Sequence, residues 1–251
     1  MNQINFILVR PCFLGNIGST ARVMKNFGFR NLVLVAPPKN YKDAEARKMS
    51  VGAFDVLKQA QVYASLPPAL ADANLVIGTS SGQQRARGSE PLDNVLQRVA
   101  AASATNKIAI LFGDERDGLS NDELAMCHHI TTIGSDKEFP SLNVSHAVAV
   151  VAYRLSQLLI VGQESVNSTD PTSRARESQK LATVTEEEEL FAYIESLFTA
   201  VEFTRTYNRE LVLGQLKAFY RRARPTKREC DLLKGVILRL NRKLSGFTSD
   251  N

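Results

Sequence analysis

Short apolar runs alternate with helical patterns across the first 160 residues, and this alternation constrains the fold more than any other feature. The apolar runs cover residues 4–9, 31–36, 74–79, 107–113 and 130–133. Helical patterns lie between them at residues 17–27, 43–57, 67–73, 92–102 and 121–126. Two parallel strands need a long crossover, which is usually a helix, so the order predicts an α/β fold with a parallel sheet.

A longer apolar helix is predicted over residues 143–161, where Val144, Val148, Val151 and Leu155 recur at helical spacing. Such a stripe packs on a sheet or on a partner. No unbroken apolar run reaches the roughly 18 residues of a membrane span, and the chain does not open with a signal-type segment. We therefore expect a cytoplasmic protein with no membrane contact.

The composition changes after residue 162. Residues 163–184 are rich in Ser, Thr, Asp and Glu, which favours a solvated, flexible linker. Thr185 with Glu188, and later Thr226 with Glu229, have the spacing of capping boxes that open helices. The sequence thus predicts a main domain at 1–162, a linker at 163–184 and a small all-helical appendage at 185–251.

Basic charge is concentrated at the C-terminal end. The whole chain has 31 Lys and Arg against 26 Asp and Glu, a net charge of +5. Residues 163–202 have 3 basic and 9 acidic residues, and residues 203–251 have 12 basic and 4 acidic ones. A solvated helical face is the ordinary explanation of a charge run. The asymmetry favours nucleic acid instead, through a cluster around Pro225. Its members are Arg221, Arg222, Arg224, Lys227 and Arg228.

Cysteine and histidine usage excludes two classes of site. The three cysteines are scattered and odd in number, which is typical of a reducing compartment rather than a disulfide framework. Two of the three histidines are adjacent, and no His or Cys spacing matches a metal site. We expect no metal.

The stretch NIGSTARVMKNFG, residues 16–28, follows the first predicted strand. Glycines between a strand and a helix suggest a phosphate cradle, but the G-x-G-x-x-G spacing is missing. Pro37 and Pro38 stand where a nicotinamide-binding unit has an acidic residue. Asn16 is either a helix cap or a functional residue. Arg22 gains nothing from the positive end of a helix, so it is either solvated or aimed at a phosphate or oxyanion.

Two further stretches lie at predicted strand ends. LFGDERDGL, residues 111–119, brings Glu115 just past a buried strand, where ligands of parallel sheets bind. Asp114, Arg116 and Asp117 are expected to be solvated turn residues. FPSLNVSHA, residues 139–147, leads into the long apolar helix, and Ser141 or Asn143 is suited to cap it.

Taken together and in this order, the three stretches resemble the motifs of the SpoU-type RNA 2′-O-methyltransferases of the SPOUT class. The resemblance covers residues 1 to about 160. It extends into the tail, where FYRRARPTKRECDLLKGVILRL is similar to the C-terminal region of the TrmJ-type tRNA (cytidine/uridine) 2′-O-methyltransferases. Two departures are visible. Asp114 replaces a common Asn, and ITTIGSDKEFPSLN replaces an Ile-Pro-Met segment.

The resemblance implies a parallel sheet with a C-terminal trefoil knot, S-adenosylmethionine as cofactor, tRNA as substrate and a homodimer. The modified ribose would belong to a pyrimidine at position 32 of the anticodon loop. The active-site positions carried over are Asn16, Arg22, Glu115, Ser141 and Asn143, with Arg22 reaching the partner subunit's site. The cofactor-binding positions are Thr79, Ser80, Ser81, Gly113, Ile133, Pro140, Ser141 and Leu142.

The chemistry implied is attack of a ribose 2′ oxygen on a methyl group attached to positively charged sulfur. Arg22 is too basic to accept a proton, so we expect it to stabilise the developing alkoxide and hold the adjacent phosphate. Three alternatives remain open. They are a related enzyme acting on rRNA or another tRNA position, a non-catalytic RNA-binding relative, and a nicotinamide-dependent oxidoreductase. The missing glycine spacing argues against the last.

Overall fold

Strands built from the predicted apolar runs form the centre of a parallel sheet. The structure is a computed structural model that describes residues 3–81, 88–136, 138–166, 180–205 and 207–247. The chain divides into two units, Met1–Thr172 and Ser173–Asn251. We call the first, which contains the sheet, the sheet unit, and the second the helical unit.

The described residues of the sheet unit contain seven strands in the order β3-β2-β1-β6-β4-β7-β5, and every neighbouring pair is parallel. All five predicted runs become strands, which confirms the α/β fold with a parallel sheet. The bounds are β1 Ile4–Val9, β2 Leu32–Val35, β3 Gln61–Tyr63, β4 Leu75–Ser80, β5 Glu90–Pro91, β6 Ile108–Phe112 and β7 His129–Thr132.

The core lies along β1, β2 and β6, whose residues are nearly all buried. Helices that cover both faces of a parallel sheet explain why these strands are continuous apolar runs. Phe6 stacks on Phe112 with ring centroids 6.0 Å apart. The register pairs Leu8 with Phe112, so β1 and β6 end side by side and the residues after them meet.

Strands β3 and β5 are absent from the sequence-based prediction. They have three and two residues, and neither contains an apolar run. Both lie at the edges of the sheet, where one side of the strand has no strand neighbour to bury it. Periodicity gives no signal for a strand this short and this exposed.

The helices of the sheet unit match the prediction except at residues 43–57, where one predicted helix is wrong. Gly52 has φ +74° and separates two helices, because this left-handed conformation cannot continue a right-handed helix. The bounds are α1 Leu14–Asn26, α2 Ala44–Ser50, α3 Phe54–Gln59, α4 Leu66–Leu70, α5 Leu92–Ala102, α6 Asn121–Ala125 and α7 Val144–Val166.

Helix α7 packs against α1 and α5. By length and composition alone, its stretch Val144–Val161 could cross a membrane, and 39% of that stretch is buried within the fold. Val148, Val151, Ala152 and Leu155 are fully buried, which is the pattern of a core helix with one covered face. The expected absence of a membrane span stays a prediction.

The helical unit contains α8 Val184–Ala200, α9 Arg209–Ala223 and α10 Lys227–Phe247. The capping box that opens α8 is Thr183 with Glu186, two residues before the predicted pair. The predicted pair Thr226 and Glu229 does bond reciprocally at the start of α10. The buried core consists of Ala182, Leu190, Phe191, Tyr220 and Cys230.

The predicted linker is too long at both ends. Leu181 and Ala182 are buried, and the Ala182 N–H donates to the carbonyl of Pro225. The last residues of the predicted linker therefore belong to the helical unit. Its first residues, 163–166, belong to α7, and residues 167–179 lie outside the described part. On α10, Ile237 packs on the core, whereas Leu232, Leu233, Val236 and Leu240 are exposed.

A close approach of α1 and α2 gives a test of the packing. A Cβ at Gly18 would lie 2.2 Å from the backbone carbonyl oxygen of Ala46. We expect Gly18→Ala to lower the free energy of unfolding by about 1–3 kcal/mol, because two helix backbones must separate. Urea unfolding of the full chain measures this change.

The matched control is Gly214→Ala in α9, where an added Cβ has no neighbour within 4 Å. This substitution should raise stability by roughly 0.5–1 kcal/mol, because alanine loses less backbone entropy than glycine in a helix. Equal effects of the two substitutions would contradict the packing described here.

Candidate active site

A cavity of about 950 Å³ opens at the carboxyl ends of β4 and β6, beside the start of α7. All eight residues predicted to bind a cofactor line it: Thr79, Ser80, Ser81, Gly113, Ile133, Pro140, Ser141 and Leu142. Carboxyl ends of parallel strands are where ligands of such sheets bind. Residues separated by up to 63 positions in the sequence thus meet at one site.

Backbone packing shapes the wall of this cavity. A Cβ at Gly113 would lie 2.0 Å from the carbonyl carbon of Gly118, so only glycine allows the loop to fold back on itself here. Gly118 has φ +68°, and an antiparallel bridge links Asp114 to Gly118. The Thr79 hydroxyl donates to the carbonyl of Leu111 at 2.8 Å, which joins β4 to β6.

Glu115 is held at the start of α1. Its carboxylate accepts hydrogen bonds from the backbone N–H of Cys12 at 2.9 Å and of Phe13 at 3.4 Å. It also accepts one from the side-chain amide of Asn16 at 2.8 Å. The free N–H groups and the positive end of a helix favour a carboxylate at this place.

Asn16 and Asn143 extend this contact into a chain of hydrogen bonds. The Asn143 amide donates to the Asn16 Oδ1 at 2.9 Å, and Asn16 in turn donates to Glu115. Three of the predicted active-site residues, far apart in sequence, are therefore in direct contact. Ser141 lies two residues from Asn143 and lines the cavity.

Asn143 caps a helix, whereas Asn16 does not. Helix α1 begins at Leu14 with Phe13 at the N-cap, so the cap interpretation of Asn16 is wrong. Asn143 does both jobs, because its Oδ1 accepts from the backbone N–H of Ser145 while its amide binds Asn16. The start of α7 is in this way tied to the start of α1.

Asp114 is not the solvated turn residue expected from the sequence. Its side chain is 8% exposed and pairs with Arg10 at 3.0 Å. Burial by itself would raise the pKa of Asp114, but the backbone N–H groups of Asp117 and Arg116 and the Arg10 guanidinium outweigh it and lower the pKa. The resulting stabilisation is present above the unfolded-state pKa of about 3.9 and is lost as pH falls through the lower folded-state pKa.

Arg22 stands apart from the other predicted active-site residues. It is exposed on α1 and is not among the residues that line the cavity. Because it follows Asn16 by six positions, it lies about 120° away around the helix, at 100° per residue. The sheet unit alone therefore does not bring Arg22 to Glu115 and Asn143.

Arg221 was predicted to bind RNA, but the structure buries its side chain. Its side chain is 7% exposed and contacts Glu187 at 3.3 Å and Glu188 at 3.0 Å. A guanidinium enclosed by two carboxylates is not presented to a phosphate. Lys227 is also engaged, with Glu186 and Asp231, while Arg222 and Arg228 are exposed.

The four consecutive glutamates of α8 supply four of the nine acidic residues between positions 163 and 202. Each of them pairs with a cation of α9 or α10: Glu186 with Lys227, Glu187 and Glu188 with Arg221, Glu188 also with Lys217, and Glu189 with Lys234. The acidic and basic stretches therefore neutralise each other in part within one unit. Arg224 begins the exit from α9 in a left-handed conformation with φ 51°.

Within the described ranges, no group of three His, Cys, Asp or Glu side chains could hold a metal ion. The cysteines of the described part form no disulfide: Cys12 is exposed, and Cys127 and Cys230 are buried. The hydrogen-bonded groups described at the site are amides, a carboxylate and backbone N–H groups.

Family models match almost the whole chain. Residues 3–153 match the SpoU rRNA Methylase family, and residues 185–248 match the C-terminal domain of the tRNA methyltransferase TrmJ. The chain belongs to the SpoU rRNA methylase family. It is a methyltransferase. The second and third stretches that resembled this family line the cavity, and the first contacts them through Asn16.

Full-length relatives agree with this assignment. The tRNA (cytidine/uridine-2′-O-)-methyltransferase TrmJ of Salmonella choleraesuis (strain SC-B67) is 33% identical over 248 residues, which cover 98% of this chain and 99% of the relative. A crystal structure of TrmJ from Z. mobilis ZM4 is 28% identical with a TM-score of 0.77, over 94% of this chain and 98% of that one.

Two more distant neighbours share the fold alone. AviRb from Streptomyces viridochromogenes, solved in complex with the cofactor AdoMet, is 22% identical with a TM-score of 0.51, over 63% and 61% of the two chains. A structure concerned with 2-OH methylation of C/U34 on tRNA has the same identity and TM-score, over 63% of this chain and 97% of that one.

Arg221 and its neighbour Arg222 allow a direct test of the buried ion pair. Arg221→Met leaves Glu187, which is 2% exposed, without its buried cation. We expect a loss of about 3–5 kcal/mol in the free energy of unfolding, because an uncompensated buried charge is costly. Urea unfolding of the full chain gives this value.

Arg222→Met is the control, since it makes the same chemical change at an exposed position one residue away. Its effect should remain within about 0.5 kcal/mol. An equally small loss in Arg221→Met would show that Arg221 is not a structural residue.

Proposed function

We propose that this methyltransferase transfers a methyl group from S-adenosylmethionine to the 2′-hydroxyl of a pyrimidine ribose in tRNA, at position 32 of the anticodon loop. The observation that carries the proposal is the Asn143–Asn16–Glu115 chain of hydrogen bonds beside the cavity at the carboxyl end of the sheet. Family membership supports the reaction, and the match of the tail to a tRNA methyltransferase domain supports the substrate.

The cavity suits the proposed cofactor in size and charge. Its volume lies within the range of roughly 300–1,000 Å³ that is usual for small-ligand sites. Glu115 and Asp117 belong to its lining, and carboxylates favour a positively charged sulfur nearby. When bound, S-adenosylmethionine supplies a methyl group on that sulfur. Thr79–Ser81, Gly113, Ile133 and Pro140–Leu142 would hold it, largely through the backbone.

Glu115, Asn16 and Asn143 are proposed to position the reacting groups. Glu115 already accepts three hydrogen bonds, and Asn16 uses both its amide oxygen and its amide nitrogen within the chain of bonds. Side chains held by several hydrogen bonds fix the geometry of a site. Precise positioning of the reacting groups can lower a reaction barrier by roughly 7–11 kcal/mol. An arginine side chain is a planar cation that suits a developing negative charge, so the proposed role of Arg22 is to stabilise the alkoxide that forms as the ribose loses its proton.

A homodimer would bring Arg22 to the site. Arg22 is exposed and lies away from the cavity of its own chain, so we propose that it acts in the partner's site. Helix α7 also leaves Tyr153, Ile160 and Val161 between 48% and 62% exposed, which is apolar surface suited to a second copy.

We also propose the trefoil knot that the family resemblance implies. In support, β6 lies between β1 and β4, although β4 precedes it in the chain, and β7 lies beyond β4. The loops after β6 and β7 line one cavity, so they lie beside each other. The trefoil knot would form if α7 passed through these two loops.

The helical unit is proposed to bind tRNA through cations that are not paired within it. Arg222, Arg228, Arg239, Arg242 and Lys243 are exposed, and no ion pair between them and another described residue is present. Phosphate contacts of this kind give affinity without sequence preference. We retain the division into domain 1–162, linker 163–184 and RNA-binding appendage 185–251, apart from the two corrected ends of the linker, since α7 continues to Val166. A tRNA-modifying role also fits the predicted cytoplasmic location.

Mapping the methylated nucleotide tests the function. Incubation of total tRNA with the full chain and labelled S-adenosylmethionine should place a 2′-O-methyl group on cytidine or uridine at position 32, as read by nuclease mapping. A signal at position 34 instead would favour the reaction described for the structural neighbour concerned with C/U34. If a parallel incubation labels rRNA while tRNA stays unlabelled, the proposed substrate is contradicted.

Glu115→Gln is the matched inactive variant for this assay. Gln keeps the size of the side chain but replaces one acceptor oxygen by a donor group, which then faces an N–H of Cys12, Phe13 or Asn16. We expect turnover at saturating tRNA to fall about 100-fold, equal to about 2.7 kcal/mol of barrier, with an unchanged melting temperature. Wild-type turnover in this variant would contradict the role of Glu115.

Salt dependence tests the tRNA contacts of the helical unit. Replacing Arg222 and Arg228 together by Gln should weaken tRNA binding and reduce the slope of log Kd against log salt by about 1.5, since each phosphate contact contributes about 0.7–0.9. The control removes the same charge at two paired positions, Lys217→Gln with Lys234→Gln. Equal changes in both double variants would mean that net charge alone governs binding.

A further inference from the structure

Arg10 lies directly after β1 in an unusual backbone conformation. Its φ is 52°, in the left-handed region that residues with a side chain rarely adopt. Its N–H still donates to the carbonyl of Val35 at 2.8 Å, which continues the pairing of β1 with β2. A non-glycine residue held in this conformation is a sign that its side chain has a specific task.

The guanidinium of Arg10 joins three points of the chain around the loop 113–120. One nitrogen donates to the Asp114 carboxylate and to the Gly118 carbonyl, both at 3.0 Å. Another donates to the carboxylate of Glu123 in α6. One planar cation therefore joins Asp114 at the start of the loop, Gly118 near its end and Glu123 in the helix that follows.

Each of the two carboxylates divides its oxygens between Arg10 and the loop backbone. Asp114 accepts the N–H groups of Arg116 and Asp117 with its other oxygen, and Glu123 accepts the N–H of Ser120. The side chains of Asp114 and Glu123 are only 8% and 12% exposed. Without the cation between them, two nearly buried negative charges would face each other, and the loop would have to open to hydrate them.

The same loop forms one wall of the cavity and carries Glu115, whose carboxylate binds the start of α1. Residues 113–119 all line the cavity. We propose that Arg10 is a positioning residue that fixes this loop in the shape that accepts the cofactor, although it touches neither cofactor nor substrate. This inference rests on the proposed function, because the ligand of the cavity is taken to be S-adenosylmethionine.

Calorimetric binding of S-adenosylmethionine to the full chain tests the proposal without requiring turnover. Arg10→Met should raise the Kd about tenfold, the scale set by one charge-assisted hydrogen bond, and should raise the KM for the cofactor in parallel. Arg10→Lys should give an intermediate Kd, because an ammonium keeps the charge but cannot bridge all three acceptors. The control is Arg30→Met. Arg30 is an exposed arginine that pairs with Asp55, and it lies just before β2, at the opposite edge of the sheet from the cavity.

A wild-type Kd in Arg10→Met, with or without a lower unfolding midpoint, would overturn the proposal and leave Arg10 a purely structural residue. If Arg10→Met does not fold, Asp114→Asn serves in its place, because it keeps the oxygen that accepts Arg116 and Asp117 and removes the charge that faces Arg10. An unchanged Kd in that variant would equally overturn the proposal. Failure of the wild-type chain to bind S-adenosylmethionine would contradict the proposed function itself.

Discussion

The organisation of the site depends on the hydrogen bonds between the Glu115 carboxylate and the start of α1. This carboxylate joins the loop after β6 to the beginning of α1, and through Asn16 and Asn143 it joins both to the beginning of α7. These segments meet because β1 and β6 are neighbours in register and end at the same edge of the sheet. One carboxylate can satisfy several N–H donors there because a helix start leaves them without intrahelical partners.

The loop after β6 is held from two sides by charges of opposite sign. Glu115 attaches it to α1, while Arg10 attaches Asp114, Gly118 and Glu123 to the end of β1. Gly113 and Gly118 allow the tight fold between these anchors. A rigid wall lets a cavity bind a ligand without first paying the entropy of ordering a loop.

The sequence predicted the α/β fold, because fully buried strands leave continuous apolar runs and helices leave a period near 3.6 residues. It did not predict β3 and β5, which are too short to show a period, or the break at Gly52 between α2 and α3. The candidate site was found through motif resemblance, and all eight predicted cofactor residues line one cavity. The roles of Arg10 and Asp114 were missed, because a charged residue after a strand looks the same whether it is solvated or paired across the fold.

Local signals in this sequence determined the five central strands, most of the helices and the asymmetry of charge along the tail. Only the tertiary structure decided how those charges are used. The glutamates of α8 pair with α9 and α10, so Arg221 is a buried structural residue while its neighbour Arg222 faces solvent. The same applies at the site, where Asn16 binds Glu115 instead of capping a helix. The physical reason is that a hydrogen bond or ion pair depends on which groups the fold brings within about 3 Å, and distance along the chain does not contain that information.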